Sequence, residues 1–145
     1  MSKNIKASAT IAETTRFVLP NDTNTLGNLM GGNLLSWLDI NAAIAAHRFC
    51  KRVVVTASVN HVAFNKAIPL GSVVTIEAKV SRAFKSSMEV YVDVWIEDRE
   101  SQQRTKVNEG IYTFVAVDTT GTPVTIPQIV PETELEKQRY ESALR

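Results

Sequence analysis

The sequence of 145 residues contains one cysteine, little net charge and no long apolar run. Because Cys50 stands alone, the chain has no internal disulfide and no pair of cysteines for redox chemistry or a multi-cysteine metal site. The formal net charge of +1 gives no general attraction to nucleic acids. No stretch approaches the roughly 20 apolar residues that span a membrane. We therefore expect neither a nucleic-acid partner nor a membrane segment.

Several sequence motifs for catalysis and cofactor binding are missing too. No group of histidine, cysteine and acidic residues has metal-ligand spacing, and there is neither a glycine-rich nucleotide loop nor a Gly-x-Ser-x-Gly motif. We therefore expect no metal and no required cofactor. The first residues, Met1–Lys6, lack the apolar run of a signal peptide, and we expect a cytoplasmic protein.

The sequence is otherwise that of an ordinary globular domain, with 44% hydrophobic and 21% charged residues. Its pattern predicts one strand, a long helix from Gly31 to Cys50, and then four strands that pair antiparallel, which makes an α+β domain. One helix can cover only one face of such a sheet. The predicted strands are Ile11–Leu19, Val53–Phe64, Val74–Val80, Met88–Ile96 and Val107–Asp118.

An aspartate lies within the apolar face of the predicted helix. Asp39 falls about 40° from Leu35 on the helical wheel, between Leu35 and Ala46. A carboxylate in such a place is costly unless it is paired, protonated or used. We therefore predict that Asp39 borders a cavity. A purely local role, bonding nearby backbone, is the alternative.

The other side of the helix is apolar as well, because Trp37, Ile40 and Ile44 cluster there. A helix that is apolar on both sides is covered on both sides. In so short a chain we expect the second cover to come from another subunit. The sequence thus predicts a homo-oligomer of at least two chains.

Gly31 and Gly32 open the predicted helix. Their backbone N–H groups, together with the positive end of the helix dipole, are suited to bind a carbonyl oxygen that gains negative charge. A close contact between helix and strand is the alternative reason for two glycines at this point.

Seven segments together resemble the hot-dog-fold acyl-CoA thioesterases, in particular the cytosolic acyl-CoA hydrolase branch. The resemblance covers roughly Thr14 to Pro127, and Met30 departs from it because many relatives have an aromatic residue there. The segments are Leu19–Asn24, Gly27–Gly32, Trp37–Asp39, Val55–Val59, Phe64–Gly71, Ser86–Met88 and Thr113–Asp118.

The resemblance implies a hot-dog fold, in which a curved antiparallel sheet wraps one long central helix. It also implies that two subunits pair edge to edge, that active sites form at their interface, and that three dimers assemble into a homohexamer. A single domain would span residues 1–130, and residues 131–145 would form a polar, helical tail.

The same resemblance implies roles for the polar residues around the helix. Asp39 corresponds to a helical carboxylate that deprotonates water or attacks the thioester directly. Asn28 corresponds to a polar loop residue that acts from the opposite subunit, with a turn residue bonding its own backbone as the alternative. Gly31 and Gly32 would then stabilise the oxyanion, and coenzyme A would be part of the substrate and product.

Two further segments are candidates for binding coenzyme A. The resemblance favours a phosphate site in the polar break between the third and fourth predicted strands, although an exposed hairpin would look the same. Backbone groups of the strand after the helix could pair with the pantetheine amides. The residues of the break are Arg82, Lys85, Ser86 and Ser87, and those of the strand are Ala57, Val59 and Asn60.

The sequence therefore predicts an enzyme that hydrolyses acyl-CoA to a fatty acid and coenzyme A. One alternative is a non-catalytic acyl-CoA-binding or regulatory module of the same fold, against which the position of Asp39 argues. Another is a 3-hydroxyacyl thioester dehydratase, whose chemistry usually pairs a histidine with a carboxylate. We expect neither His47 nor His61 to lie near Asp39. The length of the acyl chain cannot be read from the sequence.

Overall fold

A helix of 20 residues, α1 (Gly31–Cys50), packs against one face of a five-stranded antiparallel sheet. The structure is a computed structural model that describes residues 3–63 and 66–143, and for residues 61–63 it describes the backbone alone. The strands lie in the order β2-β4-β5-β6-β3. They are β2 (Ala12–Phe17), β3 (Val53–Ala63), β4 (Val73–Ala83), β5 (Ser87–Glu97) and β6 (Arg104–Val117). The predicted α+β, hot-dog architecture is confirmed.

Three short elements complete the fold. Strand β1 (Asn4–Lys6) pairs in parallel with β7 (Gln128–Val130), a pairing that the sequence pattern did not predict. A C-terminal helix, α2 (Glu134–Ser142), follows. Single 3₁₀ turns over Ala7–Thr10 and Pro20–Asp22 connect the first elements.

Small side chains bring α1 close to the sheet. Ala42, Ala45 and Ala46 are completely buried beneath the helix, and Leu38 and Phe49 fill the space on either side of them. The helix ends where Lys51 adopts a left-handed conformation with φ 56°. These features match the apolar face that was predicted from helical phase.

The other side of α1 is only partly as predicted. Trp37 is buried within its own chain, because the guanidinium of Arg16 on β2 lies over its ring at 4.2 Å from the centroid. The expectation that another subunit covers Trp37 is therefore wrong. Ile40 and Ile44 remain 52% and 37% exposed, so the need for a second cover is confined to these two side chains.

The helix α2 covers part of the opposite face of the sheet, so the expectation that one helix alone covers the sheet is corrected. Arg139 donates two hydrogen bonds of 3.0 Å to the carboxylate of Asp93 on β5. Lys79 on β4 donates to Glu136 at 2.9 Å. Ion pairs, rather than an apolar stripe, thus hold this polar helix on the sheet.

Candidate active site

The carboxylate of Asp39 meets the hydroxyl of Thr56 at the edge of the sheet. Asp39 is half-buried on α1, and Thr56 Oγ1 on β3 donates to Asp39 Oδ1 at 3.1 Å. Thr56 pairs with the buried Phe114 on β6, which fixes its side chain on the helix-facing side of the sheet. The first strand after the helix thus places a hydroxyl donor beside the carboxylate.

Two buried aromatic rings line the sheet beside this pair. Tyr112 and Phe114 are each 1% exposed, and their rings stack with centroids 6.3 Å apart. The hydroxyl of Tyr112 donates to the carbonyl oxygen of Leu35 on α1 at 3.2 Å. Burial, together with the nearby charge of Asp39, raises the pKa of Tyr112 to about 12. The carboxylate therefore borders an apolar wall, where a charge interacts strongly with its neighbours.

Strand β3 forms one edge of the sheet and is apolar along that edge. Val53, Val55 and Val59 are 61%, 49% and 47% exposed. Ala57 is left out of the pairing with β6 by a bulge between Thr56 and Ser58. A long, apolar strand with an open edge is a surface that pairs readily with another strand.

The glycines lie at the other end of the site, beside a cavity of about 340 Å³. Gly31 lines this cavity, and both Gly31 and Gly32 are exposed at the start of α1. Asn28 also lines it and forms a backbone bridge with Pro69. One predicted oxyanion donor, Gly31, and the predicted loop residue Asn28 therefore share one cavity.

A second asparagine organises the loop before the helix. Asn24 Oδ1 accepts the backbone N–H groups of Leu26 and Asn28 at 2.9 and 3.2 Å. The backbone N–H of Asn24 in turn donates to the Asn28 carbonyl at 2.8 Å. Asn24 lines the same cavity as Asn28 and Gly31. The loop thus offers two amide side chains, and only that of Asn28 was predicted to belong to the site.

Within one chain, Asp39 and the glycines lie apart. Eight residues separate Gly31 from Asp39 on the helix, a rise of about 12 Å. One thioester carbonyl would have to lie within about 3 Å of both a base and the oxyanion donors. The structure therefore does not bring these predicted site residues together in a single chain.

The predicted phosphate segment lies two strands away from the carboxylate. Ser87 on β5 pairs with Val115 on β6, which pairs with Val55 on β3, and two strand spacings amount to about 10 Å. Ser86 and Ser87 are half-buried, and Lys85 is exposed.

Arg82 is engaged elsewhere. Its Nη1 donates to the Tyr140 carbonyl oxygen at 2.9 Å, and its guanidinium lies over the Tyr140 ring at 4.0 Å from the centroid. Arg82 therefore ties α2 to β4, whereas Lys85 is open to solvent. The other predicted ligand-binding positions, Ala57, Val59 and Asn60, lie along the open edge of β3.

Other candidate groups lie away from Asp39. His47 is exposed near the end of α1, about 12 Å along the helix from Asp39, and its Nδ1 lies 3.1 Å from the Arg52 carbonyl oxygen. The side chain of His61 lies outside the described residues, as do Phe64 and Asn65 of the resembling segments. Among residues 3–63 and 66–143, no cluster of His, Cys, Asp and Glu could hold a metal ion. No helix in that part of the chain is long and apolar enough to cross a membrane.

The comparisons with known proteins agree on one family. The family model described as the thioesterase superfamily matches residues 26–102. An uncharacterized acyl-CoA thioester hydrolase of Bacillus subtilis is 41% identical over 135 residues, which cover 93% of this chain and 78% of the relative. The crystal structure of an apo-hexameric acyl-CoA thioesterase has a TM-score of 0.93 and 38% identity, covering 97% of this chain and 90% of that one.

An acyl-CoA hydrolase of Staphylococcus aureus, solved with butyryl coenzyme A and coenzyme A, is similar too. Its TM-score is 0.93 with 36% identity, over 97% of this chain and 85% of that chain. Further structures of that hydrolase carry single alanine substitutions of an asparagine, of an aspartate fifteen residues later, and of a threonine seventeen residues after the aspartate. Asn24, Asp39 and Thr56 have the same two spacings in this chain.

No role was predicted for Thr56 or Asn24, although both stand in the segments that carry the resemblance. A contact between Asp39 and Thr56 depends on how α1 crosses β3, which no local pattern encodes. For Asn24, the signal was available in its Asn-x-x-x-Asn spacing with Asn28, which favours a loop closed on a side-chain amide.

Proposed function

The chain belongs to the thioesterase superfamily and is an acyl-CoA thioesterase, and we propose that its active sites form between two subunits. The observation that carries the proposal is the separation of about 12 Å between Asp39 and Gly31 along one helix. A base and an oxyanion site so far apart cannot act on one thioester, so the partner chain must supply one of them.

The open edge of β3 offers a way to bring the two halves together. In an antiparallel pair of β3 strands, the far end of the partner's strand lies beside the beginning of this one. The start of α1 lies near the far end of β3, because the cavity beside Gly31 is also lined by Lys66 and Ala67, which follow that strand. The partner's Gly31 would then approach Thr56 and Asp39.

In this arrangement Asp39 and the partner's glycines supply the base and the oxyanion donors. Asp39 takes a proton from a water molecule whose oxygen attacks the thioester carbon, and the partner's glycine N–H groups bind the resulting oxyanion. Collapse of the intermediate breaks the C–S bond, and Asp39 returns its proton to the leaving coenzyme A sulfur, so the free thiol and the carboxylic acid are the products. The alternative is direct attack by Asp39 to give an anhydride, which water then hydrolyses.

The loop amides complete the site from the glycine side. Asn28 keeps the role that the resemblance implies, orienting water or the carbonyl. Asn24 is a second candidate for this role, supported by its spacing from Asp39 and by its place in the same cavity. The two lie on one turn of the loop, so substitution must distinguish them.

We further propose that the coenzyme A part of the substrate extends from the thioester across neighbouring strands of the sheet. Its amides would contact those backbone groups of Ala57, Val59 and Asn60 that the pairing of the two β3 strands leaves free, and its phosphates would reach Lys85, Ser86 and Ser87 about 10 Å away. Arg82 is the least suited of the predicted phosphate ligands because Tyr140 already holds it. A trimer of such dimers, supported by a hexameric structural neighbour, is part of the proposal, as is a cytoplasmic location.

Hydrolysis is tested by release of free thiol from short- and long-chain acyl-CoA. Asp39→Asn should remove most of the turnover while the fold, judged by circular dichroism, stays intact, because the two side chains have nearly the same shape. An active protein whose Asp39→Asn variant keeps full turnover would exclude this residue as base or nucleophile.

The shared site is tested by mixing inactive variants. A dimer of one Asp39→Asn chain and one Asn24→Ala chain has one site with both residues intact and one with neither. Subunit exchange should therefore restore up to about half of the activity per mixed dimer. The same mixture with Asn28→Ala shows which asparagine acts across the interface. Verified mixed dimers that stay inactive in both mixtures would contradict the composite site.

A further inference from the structure

We propose that Tyr112 is a positioning residue for Asp39, setting the turn of α1 from which the carboxylate projects. This inference rests on the catalytic role proposed for Asp39. It adds a residue of strand β6, outside the loop and the start of the helix, to the machinery of hydrolysis.

The geometry links the phenol to the carboxylate through one carbonyl group. Tyr112 Oη donates to Leu35 O at 3.2 Å. Leu35 precedes Asp39 by four residues, so in the α-helix the same carbonyl accepts the backbone N–H of Asp39. The Tyr112 hydroxyl and the Asp39 amide therefore share one acceptor, and β6 holds the turn of the helix that presents the carboxylate.

Two neighbouring strands thus fix Asp39 at different points. Thr56 on β3 donates to the carboxylate itself, and Tyr112 on β6 holds the backbone behind it. These strands are paired, with Tyr112 opposite Val59 and Phe114 opposite Thr56. Catalytic groups act well only when they are held within about half an ångström of the productive position. A carboxylate held from one strand alone would move around that contact.

The environment of the Tyr112 phenol keeps its hydroxyl protonated and fixed in place as a hydrogen-bond donor. The ring is 1% exposed and stacks on Phe114, so its position is fixed by packing. Burial and the charge of Asp39 raise the pKa of Tyr112 to about 12, so the hydroxyl keeps its proton at neutral pH and is not a base.

The test is Tyr112→Phe, which removes the hydroxyl and leaves no buried donor behind. We expect kcat to fall about 10-fold and KM to change less than twofold, because a misplaced base affects the transition state and not the binding of coenzyme A. Tyr91→Phe is the matched control. It removes a hydroxyl on the opposite face of the sheet, 3.4 Å from Ser142, and should leave both constants unchanged.

A second control tests whether any weakening of the contact between α1 and the sheet is enough to lower kcat. Thr14→Val removes the 3.3 Å hydrogen bond from β2 to Asn41, which also ties α1 to the sheet. If loosening the helix were enough to lower kcat, Thr14→Val would lower it as much as Tyr112→Phe, and the inference would be wrong.

Repeating the substitution in a protein that lacks the Asp39 carboxylate separates a role in positioning that carboxylate from a general role in stability. In the Asp39→Asn protein, Tyr112→Phe should not reduce the residual turnover further, since nothing remains to be positioned. An equal loss in both backgrounds, or an unchanged kcat in the otherwise wild-type protein, would overturn the role of Tyr112. Absence of thiol release from the wild type would instead contradict the proposed function itself.

Discussion

Val59→Lys on the open edge of β3 should convert the protein into an inactive monomer. Val59 is 47% exposed and lies on the helix-facing side of the strand, opposite Tyr112. In the proposed dimer this exposed half of the side chain is buried against the partner strand. A lysine there places a charge in the contact and a second charge in its symmetry-related copy.

The size of the effect follows from burial and charge. Complete burial of a valine side chain contributes about 2 kcal/mol, so the exposed half contributes about 1 kcal/mol in each subunit and about 2 kcal/mol in the dimer. Removing two ammonium groups from water and placing them near each other costs at least another ~2 kcal/mol. A loss of about 4 kcal/mol raises the dimer dissociation constant roughly 10³-fold.

Light scattering at micromolar concentration, together with thiol release over a range of protein concentrations, measures both consequences. We expect a folded monomer whose specific activity is lost at low concentration and partly regained at high concentration. Leu135→Lys is the control, since Leu135 is 51% exposed on α2 and lies on another surface. A Val59→Lys monomer with full activity would refute the composite site, and an unchanged oligomer would refute the interface.

Four further outcomes are expected. Thr56→Val removes the 3.1 Å hydrogen bond to Asp39 and should lower kcat about 10- to 100-fold, since a hydrogen bond to a charged group contributes about 1.5–3 kcal/mol; an unchanged kcat would show that the contact is idle. Lys85→Ala should raise KM and leave kcat nearly unchanged, because phosphate contacts act equally in the ground and transition states; a change in kcat alone would show that coenzyme A is misplaced. Chelators should leave thiol release unaffected, and a loss restored by a divalent ion would contradict this. Asp93→Asn leaves Arg139 without its buried partner and should lower the free energy of unfolding by about 3 kcal/mol in urea titrations. Although burial raises it, the contacts with Arg139 and Lys106 lower the pKa of Asp93, so its contribution to stability is present above about pH 4 and is lost as the pH falls through the folded-state value. The variant should therefore lose part of the acid dependence of wild-type stability, and an unaltered acid transition would rule out this assignment.

The fold was predictable because its signals are local. Alternation of apolar and polar residues over Val74–Val80 and Met88–Ile96 predicted strands that the structure extends by one to three residues at each end. The phase of α1 predicted which residues face the sheet. The pairing of β1 with β7 was not predictable, since each strand has three residues and their partners lie more than a hundred residues apart.

The cover of Trp37 and the docking of α2 were not predicted correctly, for a related reason. Both depend on long polar side chains that reach across the fold. Arg16 lies over the Trp37 ring, and Arg139 reaches Asp93 from a helix whose sequence has no apolar stripe. Such contacts cannot be read from hydrophobic periodicity, because the residues that make them look like solvent-exposed charges.

The candidate site likewise contains residues that the sequence predicted and residues that only the structure reveals. Asp39 was found from helical phase, because a carboxylate in an apolar face is a local conflict that a sequence shows directly. Thr56 and Tyr112 were not found, since each acts through a contact between α1 and a strand. A threonine and a tyrosine in strands are residues of ordinary β propensity, and only the crossing of helix and sheet gives them a role.

In the proposed dimer, the separation of Asp39 from Gly31 is the reason why one symmetric partner would be enough to complete the site. Eight residues make slightly more than two turns, so the two positions lie about 80° apart around the helix and about 12 Å apart along it. In the proposed dimer, a two-fold axis through the open edge of β3 would reverse the partner's direction. It would exchange the two ends and place each carboxylate opposite the other chain's glycines. One interface would then create two complete sites, and neither chain would need to bend its helix to bring base and oxyanion donors together.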